Sequence, residues 1–168
     1  MSGDARVRGE MFFYRGEYRR AIEAFSLVVA QGVADAAVFT NRGAAHAALG
    51  EVALAIADYD RAAEIAPQDT TISNTRGLAH ATDGGYTAAL DDYERAIELA
   101  PQDPVAYHNR GVALNAQGHE EEALADFDRA LERDPQYAEA YYARGNLYAS
   151  RGDHAQALAD FCLLYTSP

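Results

Sequence analysis

The chain repeats itself every 34 residues. Shifted by that distance, the stretch Tyr107 to Pro135 falls on itself: Gly111 recurs as Gly9, Gly43, Gly77 and Gly145, and Gly118 as Gly16, Gly50, Gly84 and Gly152. A constant period of this length marks one supersecondary unit copied along the chain. No single copy buries its apolar face, so copies must stack. The units fall at about residues 2–35, 36–69, 70–103, 104–137 and 138–168, the last incomplete. The first is the least regular: Ala5 stands where the second, fourth and fifth units carry an aromatic, and Val33 where the next three carry proline.

Each unit reads as two antiparallel helices. In the fourth, the predicted spans are Val105–Gln117 and Glu120–Arg133. Apolar residues recur at three- and four-residue steps, as at Ala123, Leu124, Phe127, Ala130 and Leu131. Gly118 is suited to the left-handed conformation that closes a helix before a tight turn. Pro67, Pro101 and Pro135 follow the second helices, which they cannot continue. Gly111 and Ala123 are expected to be small because the paired helices approach closely there. Ala130 is expected to be small where the next unit stacks, with Tyr107, Leu114 and Phe127 filling the space around.

The fourth unit's Tyr107, Gly111, Leu114, Ala123, Phe127 and Pro135 resemble the tetratricopeptide repeat, W-x2-L-G-x2-Y, then A-x3-F, then P. The resemblance covers essentially the whole chain. It implies an all-α fold, a right-handed α-solenoid superhelix of about five repeats in a single domain over residues 1–168. It also implies a non-enzymatic scaffold or adaptor that binds a peptide or protein segment in a concave groove lined by first helices.

One position departs from the family pattern. The residue before the first glycine, usually leucine, is arginine in all five units: Arg8, Arg42, Arg76, Arg110 and Arg144. Sixteen residues on stand Asp58, Asp92, Asp126 and Asp160, with Ala24 in the first unit. The joint recurrence predicts a structural ion pair across helices. The other reading is an arginine row offered to an anionic ligand.

Composition narrows the function classes. Net charge is −12, from 14 basic and 26 acidic residues. Such a surface repels nucleic acid and anionic membrane, and no stretch approaches the roughly 20 apolar residues of a membrane span. The opening MSGDARVRGE lacks the apolar core of a signal peptide, and a cytoplasmic protein is expected. Five arginines in the first twenty residues make this end mildly basic, either as a solvated face or as a dock for an acidic partner. The single cysteine, Cys162, excludes an internal disulfide and any multi-cysteine metal site. His46 and His80 take equivalent positions in adjacent units. They are read as hydrogen-bonded packing residues, with a stacked metal pair as the alternative. No catalytic constellation, phosphate loop or dinucleotide fingerprint is present, and no cofactor is expected.

The resemblance places the groove lining at first-helix positions beside the packing set. In this chain the candidates are Asn41, Asn74, Thr75, His108, Asn109, Asn115, Tyr142 and Asn146. An amide donates to one backbone carbonyl and accepts from one N–H, so an asparagine row suits an extended peptide. The basic clamp by which some relatives grip a terminal carboxylate is missing, its positions holding Thr40, Ala44, Thr75 and Val105. After Phe161 the pattern fails in Cys162-Leu163-Leu164-Tyr165-Thr166-Ser167-Pro168. Leu158, Phe161 and Leu164 are then expected to form an exposed apolar stripe. That allows three readings: a truncated array, a natural end, or a homo-oligomer joined through this end. A regulatory or assembly segment of a larger protein is the alternative function.

Overall fold

The computed structural model describes the backbone of residues 2–166 and the side chains of residues 4–163; Ser167 and Pro168 and the side chain of Leu164 lie outside it. The described residues contain ten α-helices and no strand. The chain divides into two compact units, Met1–Gly85 and Tyr86–Pro168. The first holds α1 (Ser2–Tyr14), α2 (Tyr18–Ala30), α3 (Ala36–Ala48), α4 (Val52–Ile65) and α5 (Thr70–Thr82). The second holds α6 (Tyr86–Leu99), α7 (Pro104–Ala116), α8 (Glu120–Arg133), α9 (Ala138–Arg151) and α10 (His154–Thr166). Within each unit every helix packs on the next, and alternate helices α1 and α3, and α7 and α9, also touch. No described helix is long and apolar enough to cross a membrane.

The helix ends follow the repeat. Asp35, Asp69 and Asp103 are N-caps, their carboxylates accepting from the backbone N–H of Val38, Thr71 and Val105 at 3.0, 2.9 and 3.0 Å. These bonds satisfy donors that a helix start otherwise leaves open. At the start of α9 the cap is Tyr137, which makes no such bond. Gly118 closes the turn after α7 with φ +82°, a region costly for side chains bearing a Cβ.

Small residues let the hairpins close. A Cβ placed on Gly111 would lie 2.7 Å from the Phe127 ring and 3.2 Å from the Ala123 carbonyl oxygen. Phe127 and Ala123 are themselves fully buried, in a core with Leu114 and Leu147. Ala130 lies against Ala140 and Tyr107, which is why the stack tolerates only a methyl there. In the first unit, Phe25 fills the same place against Gly9, and Tyr59 against Gly43. Phe161 repeats the arrangement against Gly145. It is half-buried and does not belong to an exposed stripe, because the glycine opposite draws its ring inward. Leu158 and Leu163 of α10 are exposed.

The predicted ion pair is structural. Arg42 grips Asp58, Arg110 grips Asp126 and Arg144 grips Asp160, each through Nε and Nη2 to both carboxylate oxygens. The aspartates are buried. A second partner lies sixteen residues the other way, on the preceding helix. Arg42 Nη1 donates to Ser26 Oγ at 3.2 Å, Arg76 Nη1 to Asp60 at 2.9 Å, and Arg144 Nη1 to Asp128. One guanidinium thus fastens its own hairpin and also the helix before it.

Three of the five arginines near the start of the chain are likewise engaged. Arg6 bonds Glu10 and Asp35, Arg8 lies 3.8 Å from Asp4, and Arg20 pairs with Glu17 while lying 4.0 Å over the Phe12 ring. The pairs with Glu10, Asp4 and Glu17 are local, three or four residues apart, and Arg6 also ties α1 to the cap of α3.

Candidate functional site

First helices α7 and α9 run side by side in the second unit, and α8 backs them. On α7 the packing side carries Tyr107, Gly111 and Leu114, all buried. The residues one position along from these therefore project elsewhere: His108, Val112 and Asn115. The same offset on α9 gives Tyr142 and Asn146, and Glu139 lies one turn before Tyr142 on the same face. Together they line an open cavity of 640 Å³ whose floor includes Phe127.

The chemistry of this cavity is mixed. Phe127, Val112 and the Tyr142 ring are apolar walls, and Tyr142 is largely exposed. Asn115 and Asn146 place exposed amides at the edge. His108 is wedged edge-on to Tyr137, with ring centroids 5.4 Å apart, and tilted against Phe127 at 6.0 Å. Its Nδ1 is buried without a hydrogen-bond partner. Burial lowers the His108 pKa below its usual 6.5, and the negative charge of Glu139 only partly offsets this. The ring is therefore neutral at pH 7. Glu139 is the one charged residue lining the cavity.

Four of the eight sequence-predicted positions, His108, Asn115, Tyr142 and Asn146, meet in this one cavity. Asn109 is half-buried and outside its lining. In the first unit, Thr75 lines a smaller cavity of 240 Å³ with Leu78 and Tyr59, and its Oγ1 donates to the Thr71 carbonyl at 2.8 Å. Asn41 is half-buried and Asn74 is buried, with its Oδ1 lacking a partner. Among the wall residues not anticipated are Glu139 and Phe127. Glu139 lies one turn before Tyr142, which marks it as sharing that face. Phe127 reads from sequence only as core.

His46 behaves as a packing residue. Its Nδ1 lies 2.7 Å from Glu51 Oε2 and its ring is mostly buried. Among the described residues, no group of three histidine, cysteine or carboxylate side chains is placed to hold a metal ion.

Stacked helical hairpins with recessed first-helix faces define a helical-repeat scaffold for protein interaction. The chain belongs to the tetratricopeptide-repeat family, whose models match residues 7–70, 83–118, 104–137 and 127–159. No curated protein matches the sequence. Solved structures share its fold. MamA from Desulfovibrio magneticus RS-1, residue 41 to its end, superposes with a TM-score of 0.86 at 21% identity, over 98% of this chain and 93% of that one. MamA from MSR-1 gives 0.76 at 24% identity, over 98% and 94%. A further MamA crystal structure gives 0.82 at 20%, over 94% and 92%.

Proposed function

We propose that the chain binds an extended peptide segment of a partner protein along the α7–α9 face, as a non-catalytic adaptor. The observation that carries this is the 640 Å³ cavity where His108, Asn115, Tyr142 and Asn146 converge. Its walls offer apolar contact for a side chain. Its amides can hold a peptide main chain by donating to a carbonyl and accepting from an N–H. Neither asparagine is needed for packing, since both are exposed. Panning a library of random twelve-residue peptides on the protein tests the reading. Enriched peptides are expected to lose binding to an Asn115→Ala, Asn146→Ala double variant. Equal enrichment on both proteins would overturn it.

A further inference from the structure

We infer that the α7–α9 cavity takes an arginine side chain of the bound segment, with Glu139 as its counter-charge and Tyr142 as its stacking surface. This rests on the peptide-binding reading above and adds the residue that is recognised.

The lining asks for a particular shape of side chain. Val112, Phe127 and Ala143 form an apolar passage. Glu139 adds one negative charge and forms no ion pair with any described residue. A ligand group that matches both has an apolar stem and a cationic head, which is the design of arginine and lysine. Tyr142 decides between them. Its ring is 59% exposed, and a planar guanidinium stacks on such a ring while donating two parallel hydrogen bonds to a carboxylate. The compact ammonium of lysine does neither as well. Asn115 and Asn146 stay available for the main chain on either side.

His108 supports the same occupant. Its neutral ring lets a cation sit nearby, and protonation would place a second positive charge beside Glu139. The charge of Glu139 acts on His108 from α7 and on Tyr137 just before α9, and Tyr142 on its own helix lines the same cavity. Phe127, the wall supplied by α8, brings no charge. Of these only His108 is a group whose ordinary titration lies near neutrality, so acid should weaken binding through this ring once it takes up its proton.

The test uses the full chain in 0.15 M salt. Four fluorescein-labelled nine-residue peptides, identical except for a central arginine, lysine, leucine or glutamate, are titrated by anisotropy. The expected result is that arginine binds about tenfold tighter than leucine, with lysine between and glutamate weakest. Glu139→Gln should abolish the preference. Glu132→Gln, which removes the same charge from an exposed site on α8, should leave it intact. A pH titration downward from 7.5 should shrink the preference at higher pH in the parent than in His108→Asn. If arginine and leucine bind alike, or the two glutamine variants behave alike, the arginine assignment falls and peptide binding stands. If no peptide binds, or all bind the Asn115→Ala, Asn146→Ala variant equally, the groove reading falls and takes this one with it.

Discussion

Arg110 holds both carboxylate oxygens of Asp126, Nε to Oδ2 at 2.7 Å and Nη2 to Oδ1 at 2.8 Å, from the first helix of its hairpin to the second. The carboxylate is 3% exposed and the guanidinium 19%. The bonds to Asp126 raise the arginine's pKa, against the opposing effect of burial. Removing one partner strands the other in a dry site. Asp126→Asn should therefore lower unfolding stability by about 3 kcal/mol, the scale for breaking a buried pair. Asp128, the outer partner of Arg144, is 52% exposed. Asp128→Asn should cost less than about 1 kcal/mol. Urea denaturation of both variants checks the contrast, and equal losses would refute the claim that burial sets the value of each pair.

Phe127 and Gly111 form a coupled pair. Phe127→Ala removes a fully buried ring and should cost about 3–5 kcal/mol. Gly111→Ala pushes a methyl to within 2.7 Å of that ring and should cost about 1–3 kcal/mol. In the double variant the new methyl occupies space the ring has vacated, so the losses should sum to less than their separate values. Additive losses, measured by thermal unfolding, would show that the two sites do not share a contact.

His108 should give the protein an acid-sensitive limb. Its folded pKa lies below 6.5, while in the unfolded chain it titrates near its usual value. As pH falls through 6.5 the unfolded state takes up the proton first, so stability falls with pH over that range. His108→Asn should flatten this slope between pH 7 and 5. An unchanged slope in guanidinium titrations would exclude His108 as its source.

Gly118 sits at φ +82° with open space around the position a Cβ would take. Gly118→Ala should thus cost about 1–2 kcal/mol, through backbone strain alone. Gly118→Asn should recover part of that loss, because asparagine tolerates the left-handed region better. Identical melting temperatures for the two variants would argue against this cause.

The repeat made the helices, the turn glycines and the closely packed pairs legible, because each is fixed by contacts inside one hairpin. The Arg–Asp pairing sixteen residues forward was legible for the same reason. The bonds sixteen residues back were not. Their acceptors are Ser26, Asp60 and Asp128, a less uniform set than the aspartates sixteen residues forward. The aspartate caps at Asp35, Asp69 and Asp103 recur with the period, yet sit at unit boundaries outside the packing set. Of the cavity, the α7 and α9 side chains followed from helical offset. Asn109 did not line it, since one step around a helix turns a side chain from an open face toward a neighbour. Phe127 as a wall depended on how deeply two neighbouring helices part, which a linear pattern does not encode.

That double use of Phe127 has a consequence for how such a recess can diversify. The ring that plugs the glycine notch in α7 is also the bottom of the depression, so its depth is tied to the hairpin's integrity. Residues 108, 112, 115, 139, 142 and 146 bear no comparable burden. Descendants of this sequence can exchange the rim for another ligand's chemistry, while the basement stays aromatic.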